Sequence, residues 1–409
     1  MVFFELKFSP IAHTSLVLYP QRLDLFTLIF MSHSDIPLSL YIHFPWCVQK
    51  CPYCDFNSHA IKNSGVPEDL YINRLIADFE ADLPLALDRP LQSIFMGGGT
   101  PSLFSHKAIS KLLKHIESRL KFSNSIEITL EANPGTIERG KFQTYFDIGI
   151  NRISLGVQSF NPKHLKKLGR IHSDLEACRS IEEIYQAGFK TFNLDIMHGL
   201  PDQTPIESQE DLKQALSFAP PHLSWYQLTL EPNTLFHAKP PSLPSDETLG
   251  LIEDQGFEQL KSAGLDRYEI SAYSKPGHES LHNKNYWEFG DYLGIGAGAH
   301  GKISDPINKI ILRTNKKKHP KEYLDLSQSF LQESREIPNS ERPFEFLLNT
   351  LRLINGVDQN LFESRTFLPL STISKNLKIS REQGLIELNK LAATPLGLRY
   401  LNSVLESFI

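Results

Sequence analysis

The chain has 409 residues, 41% of them hydrophobic and 22% charged, enough apolar material for a large core, which excludes a disordered or fibrous protein. Forty-two Lys and Arg against 47 Asp and Glu leave a formal net charge of −5, so no global positive field exists to hold a phosphate backbone, and the expected partners include no nucleic acid. Three of the four cysteines fall within eight residues, at Cys47, Cys51 and Cys54, with Cys178 far downstream; this is a metal or redox site of a reducing compartment, not a secreted disulfide framework.

From the N-terminus, the apolar stretch between Ile11 and Met31 is broken by His13, Pro20, Gln21, Arg22 and Asp24. It is too short to span a bilayer and lacks the pattern of a secretory signal, so we expect a cytoplasmic chain with no transmembrane segment. Residues 1–37 read as an N-terminal extension, and residues 1–30, ahead of Met31, as dispensable.

Runs rich in β-branched and aromatic residues follow at 38–44, 91–96, 125–131, 152–158, 191–197 and 222–230. Between them, segments such as 67–83, 106–120 and 174–187 place apolar residues every three or four positions, as amphipathic helices do. Six βα units in succession predict an α/β fold, a partial (β/α)6 TIM-like barrel over residues 38–235, with right-handed crossovers. Several strands end in Gly97-Gly98-Gly99-Thr100, Glu131-Ala132-Asn133, Gly156-Val157-Gln158 or Asp195. Ligands of parallel sheets sit at the carboxyl ends of the strands, so these groups are expected to face one site.

Residues 236–310 read as a barrel extension: a Pro-rich loop, a helix at 246–263, a strand at 268–273, then His282-Asn-Lys-Asn-Tyr286-Trp287 and a glycine-rich segment from Gly294 to Gly301. The basic stretch 313–321, with Lys316, Lys317 and Lys318, reads as a solvated linker, and a phosphate or membrane-surface contact is its lesser reading. Residues 311–409 are expected to form a small, mostly helical C-terminal domain, with helices at 342–354, 370–377 and 381–391.

The cysteine loop admits three chemistries. Zinc wants four ligands, which His43 or His59 could complete although no second Cys pair exists. Cys51-Pro-Tyr-Cys54 matches a glutaredoxin-type dithiol, which needs a helix N-terminus to activate its first cysteine. The third is a 4Fe-4S cluster held by three cysteines, leaving one iron without a protein ligand.

Cys47-x-x-x-Cys51-x-x-Cys54 after the first strand, followed by Gly97–Gly99 after the second, resembles the signature of the radical S-adenosylmethionine (SAM) superfamily. In that superfamily the open iron is chelated by the amino and carboxylate groups of SAM, and an electron from the reduced cluster cleaves the sulfonium to a 5′-deoxyadenosyl radical. Tyr41-Ile-His-Phe-Pro-Trp-Cys47, Gly97-Gly-Gly-Thr-Pro101, Glu131-Ala-Asn-Pro134 and Gly156-Val-Gln-Ser-Phe160 further resemble the oxygen-independent coproporphyrinogen III oxidase family, over residues 38–400. That resemblance implies SAM contacts at Tyr41, Tyr53, Gly98, Gly99, Thr100, Glu131, Gln158, Arg170 and Asp195, with Thr229 a looser match.

The chain departs from the oxidases where they carry another cysteine, two residues past the motif: here stands Phe56. With His282-Asn-Lys-Asn-Tyr-Trp287 and the Gly294–Gly301 segment, this is similar to the HemW-type haem-chaperone branch of the family. The branch resemblance implies haem as cargo, haem-requiring respiratory enzymes as recipients, an electron donor for the cluster, a homodimer in equilibrium with monomer, and work near the cytoplasmic membrane. It also implies His282 as a haem ligand, with Tyr286 and Trp287 as an apolar wall and His300 as a weaker second candidate. Porphyrinogen decarboxylation by a radical SAM enzyme, or a radical SAM reaction on another substrate, is the alternative.

Overall fold

The computed structural model describes residues 36–61, 65–135 and 140–409; residues 1–35 of the expected N-terminal extension lie outside these. Among the described residues no helix is long and apolar enough to cross a membrane.

Six strands follow one another in the expected order: β1 (Leu38–Phe44), β2 (Leu91–Gly98), β3 (Phe122–Ala132), β4 (Arg152–Gln158), β5 (Thr191–His198) and β6 (His222–Gln227). Each pairs in parallel with the next. The crossovers carry helices α1 (Glu68–Asp82), α2 (His106–Arg119), α3 (Phe142–Asp147), α4 (Pro162–Lys167), α5 (Asp174–Gln186) and α6 (Pro205–Ser217). The sequence places their starts: Ser173 and Thr204 each form a reciprocal capping box with the Glu three residues on, satisfying two of the otherwise orphaned N–H groups.

Further strands, not expected, follow. After α7 (Asp246–Ser262), the hairpin β7 (Asp266–Glu269) and β8 (Ala272–Ser274), and α8 (Leu281–Trp287), the chain forms β9 (Asp291–Ile295), which lies parallel to β1 on its free side. The parallel array therefore has seven strands, and antiparallel strands extend it at both ends: β10 (His300–Asp305), β11 (Ile310–Lys316) and β12 (Leu331–Glu336) beside β9, and β8 then β7 beside β6. The strand anticipated at 268–273 is in fact this short hairpin, turned at Ile270 and Ser271.

The two faces of the parallel strands differ. Leu38, Leu40, Ile42, Ile94, Met96, Leu130, Ile153, Leu155 and Leu194 pack with the crossover helices into the main core. The intervening positions carry polar groups: Ser39, Ser93, Glu127, Ser154, Asn193, Asp195 and His222 hydrogen-bond to one another or to α8, Tyr41 to His43, and Glu131 to the Gly98 N–H. Period-two alternation thus assigns apolar side chains to the helices and polar ones to the opposite face.

The basic linker is corrected. Residues 310–316 are a sheet strand, and Pro320–Leu324 is a short helix. Lys316 is 1% exposed, its Nζ 2.6 Å from Asp78 Oδ1 and 2.8 Å from Asp82 Oδ2 on α1. A charge run marks solvent only when no buried acid waits for it. Beyond this lies a second core of Phe289, Ile311, Ile337, Phe346, Leu351, Phe362 and Val404, built largely on the helices Arg342–Thr350, Asn360–Thr366, Ser374–Glu382 and Leu401–Glu406. The helix expected at 381–391 is displaced: Ser374–Glu382 runs through the anticipated break and stops before Gly384, whose φ is +70°.

Candidate cofactor site

Strand β1 ends at Phe44, and the chain turns at once into the cysteine loop, with Cys54 N bonded to Cys51 O at 3.2 Å. The glycine segment after β2 is tied to it by backbone bonds, Gly99 N to Phe44 O and Thr100 N to Trp46 O, both 2.7 Å. Such an approach tolerates no side chain. A Cβ on Gly99 would lie 2.5 Å from Trp46 O, and one on Gly98, where φ is +106°, would lie 2.3 Å from the His43 ring.

Opposite the loop stands Arg170, in the segment after α4. Its Nη1 lies 3.6 Å from Cys51 Sγ, and its Nη2 donates to Asn133 Oδ1 at 2.5 Å and Gly156 O at 2.7 Å. Asn133 in turn donates to Thr100 Oγ1 at 3.1 Å. A cleft of about 100 Å³ opens here, lined by Cys51, Thr100, Asn133, Arg170 and Glu176 among others. Glu131 accepts the Gly98 N–H at 3.0 Å, and burial together with the charge of Asp195 pushes its carboxyl up to about 7. Burial likewise raises the Asp195 carboxyl. Gln158 is buried with a left-handed φ of +73°, a conformation uncommon for a side-chain-bearing residue, and its Oε1 accepts from Tyr226 Oη at 2.7 Å.

These contacts bring together Cys51, Gly98, Gly99, Thr100, Glu131, Gln158 and Arg170, with the buried Tyr53 hydroxyl beside Cys51 and the charge of Arg170. Asp195 lies deeper on β5, held by Asn193 and Ser154. Tyr41 faces the same polar side, its Oη 3.0 Å from His43 Nδ1. Thr229 lies past the end of β6 and is exposed. Asn133 is among the strand-end groups expected to face the site; Tyr226, Ser154 and Asn193 were not singled out from the sequence, and only the alternation of β4, β5 and β6 pointed to them.

The donor chemistry can be tested against the three readings. The His43 Nε2 is 2.9 Å from Asn57 O and His59 faces His319, so neither turns to the thiols. Among the described residues, no three His, Cys, Asp or Glu side chains are close enough to chelate one ion, which a single zinc requires; a cubane spreads its ligands over separate irons. No helix begins at Cys51, the next starting at Glu68, so the activation of a glutaredoxin dithiol is missing. Burial pushes the Cys47 and Cys54 thiols up, and ligation by iron would displace those protons. Three thiols in one loop, Cys51 beside a guanidinium, and the Glu131 carboxylate on the glycine segment tied to that loop fit an anionic cluster and a zwitterionic ligand.

The proposed haem residues are elsewhere. His282 is 1% exposed, stacked on Phe95 with ring centres 5.0 Å apart, and both its nitrogens are engaged: Nδ1 with Ser93 Oγ at 2.9 Å and Nε2 with Tyr286 Oη at 2.7 Å. Tyr286 packs edge-on to Tyr292, whereas Trp287 turns to the second core under the Arg352 guanidinium, 4.4 Å from its ring centre. The two aromatics therefore form no common wall here. His300 is exposed at the start of β10. Cys178 sits at the edge of the main core, 3.8 Å from Gln214 Nε2, as a packed thiol does.

Residues 41–215 match the family model of the Radical SAM superfamily. The haem chaperone HemW of Haemophilus influenzae is 51% identical, covering 91% of this chain and 98% of its own. That of Escherichia coli is 48% identical and that of Bacillus subtilis 34%, each again over 91% of this chain and nearly all of theirs. In structure, the radical SAM enzyme coproporphyrinogen III oxidase HemN of Escherichia coli superposes with a TM-score of 0.78 over 92% of this chain and 91% of its own, at 23% identity, a likeness of fold. A three-cysteine loop on a parallel sheet, together with this full-length identity, shows that the chain belongs to the HemW haem-chaperone family of the radical SAM superfamily.

Proposed function

We propose that the chain carries haem to haem-requiring respiratory enzymes in the cytoplasm, and that it holds a 4Fe-4S cluster on Cys47, Cys51 and Cys54 with SAM at the open iron. The observation that carries this is the 51% identity to a haem chaperone along 91% of the chain. The replacement of the oxidases' further cysteine by half-exposed Phe56 agrees with it. When bound, the cluster would supply an electron from an external donor to the SAM sulfonium.

The chain's own groups have separable tasks. Gly98 and Gly99 offer backbone groups to the methionine end of SAM, their missing side chains leaving room for His43 and Trp46, Glu131 takes its ammonium, and Arg170 sets a positive charge against the thiolate of Cys51 and fixes Asn133. Thr100 and Gln158 offer polar groups at the rim, Tyr41 and Tyr53 flank, and Asp195 accepts from the ribose hydroxyls; Thr229 belongs to this set only if the segment after β6 folds inward. Haem ligation by His282 requires the ring to leave its buried place, because Nδ1 is engaged by Ser93 on β2 and Nε2 by Tyr286 of the same helix.

One anaerobic experiment tests the reading. The cluster is reconstituted, SAM and reductant are added, and haem binding and porphyrinogen decarboxylation are assayed on the same sample. Stoichiometric haem uptake without loss of propionate carboxyls is expected; robust conversion to vinyl groups would overturn it in favour of the oxidase.

A further inference from the structure

The buried polar groups around Asp195 lead away from the pocket. Asn193 Nδ2 donates to Asp195 Oδ1 at 2.8 Å and to Ser154 Oγ at 2.9 Å. A carboxylate on that side forces the amide orientation, leaving Asn193 Oδ1 to accept from His222 Nδ1 at 2.7 Å and Ser224 Oγ at 3.0 Å. The acceptor fixes the tautomer. His222 is fully buried, which drives its pKa well below the usual value, so it is neutral with its proton on Nδ1. Its Nε2 must then accept from Tyr268 Oη at 2.8 Å. The Tyr268 oxygen takes the N–H of Ser280 at 3.3 Å, and Ser280 is the N-cap of α8. Four links in succession therefore donate toward one carboxylate, and aligned hydrogen bonds polarise and strengthen one another.

The far end is equally well defined. Glu127 on β3 accepts the N–H groups of Leu281 and His282, both at 3.1 Å, so the first turn of α8 is seated on the polar face of the sheet by Glu127 and by the Tyr268 link. The helix that carries His282 and the Asp195 carboxylate, to which the proposed function assigns SAM, are thus joined by an unbroken run of side-chain hydrogen bonds.

We propose that SAM occupancy and the seating of α8 are coupled through this chain, with Asn193, His222 and Tyr268 as positioning residues. The inference rests on the reading that SAM contacts Asp195. Bound SAM, a cation at sulfur with hydroxyls aimed at Asp195, favours the ionised carboxylate; the ionised carboxylate pulls on Asn193, His222 and Tyr268; and Tyr268, polarised in turn, holds the cap of α8. Linkage makes the effect reciprocal: a seated α8 favours SAM, and departure of SAM loosens the helix that keeps His282 buried against Ser93.

Hydrogen exchange across Leu281–Trp287 in the cluster-loaded full chain, with and without SAM, tests this alongside SAM affinity. SAM is expected to slow exchange of this segment several-fold in the wild type. Tyr268→Phe should weaken SAM about fivefold, as loss of one buried hydrogen bond does, and abolish the SAM effect on α8. Tyr273→Phe is the matched control: on the same hairpin, its buried hydroxyl makes no hydrogen bond among the described residues, and it should leave both readings unchanged. The coupling is overturned if SAM binds the wild type with no change in α8, or if Tyr268→Phe behaves as Tyr273→Phe. If Asp195→Asn binds SAM as the wild type does, the reading of Asp195 itself fails, and the coupling with it.

Discussion

At the scale of single residues, the site is held by groups whose freedom is spent. Gly98 combines a left-handed backbone with a Cβ position 2.3 Å from the His43 ring. Gly98→Ala should cost roughly 2–4 kcal/mol, adding backbone strain to a clash that His43 cannot relieve while bonded to Asn57 and Tyr41; a urea titration reads it, and a loss under 0.5 kcal/mol would show that the segment yields. Glu131 offers a pH test. Its folded pKa is about 7 against an ordinary 4.5, so the fold prefers the neutral acid; the contribution is present below pH 4.5 and is lost as pH rises through 7. Above that, the cofactor-free protein carries a burden of about 3 kcal/mol at most. Glu131→Gln should therefore stabilise the apoprotein at pH 8 by up to that amount and by under about 1 kcal/mol at pH 5; equal gains at both pH values would remove burial of this carboxylate as the cause. The cysteines and glycines drew notice in the sequence by their spacing, and Glu131 by its place at a strand end and by the family resemblance. Asn193, His222 and Tyr226 could not, because an ordinary polar residue acquires a role only from the neighbour that folding gives it.

At the scale of elements, the cysteine loop and β11 make opposite lessons. The loop was legible, and its prediction is sharp: Cys47→Ser, Cys51→Ser and Cys54→Ser each abolish the brown chromophore of the reconstituted protein, whereas Cys178→Ser, altering a helix residue beside Gln214, keeps it. Loss of absorbance in the Cys178 variant would put a fourth cysteine on the cluster. Strand β11 was misread as linker because three successive lysines dominate its sequence end, while the acids that answer Lys316 lie more than two hundred residues earlier, on α1. Asp78 also accepts from Tyr323 Oη at 2.7 Å and from Gly296 N at 3.0 Å, so a lysine, a tyrosine and the glycine-rich turn converge on one carboxylate. Lys316→Met strands Asp78 and Asp82 without their cation and should cost about 3–5 kcal/mol, measured by chemical denaturation; a near-neutral effect would mean water enters the site. Strand β9 was missed for a related reason: five residues between a short helix and a glycine run carry too little periodicity, and its place is set by pairing to β1.

For the whole molecule, the alternation of strands and helices sufficed to give the parallel sheet, and the separate core beyond it was legible as a change in pattern, though its helix limits were not. The two cores are stitched by β11 and by Phe289, which packs on Phe346 with ring centres 5.7 Å apart. Phe346→Ala should cost about 3–5 kcal/mol and lower the midpoint of the first core as well. In a Trp287→Phe background the remaining tryptophans, Trp46 and Trp225, both report on that first core; an unshifted fluorescence midpoint would show that the cores melt independently. The bracing of the cysteine loop has a consequence for how the protein is made. Asn57, three residues past Cys54, donates to Ala297 O and Lys318 O, both 2.8 Å, across 240 and 261 positions of chain. At about 5–20 residues per second on the ribosome, the thiols emerge about 12–50 s before the carbonyls that will brace them, so a nascent chain shows its cysteines to the cell long before it can shelter a cluster, and iron–sulfur loading belongs to the end of translation or after it.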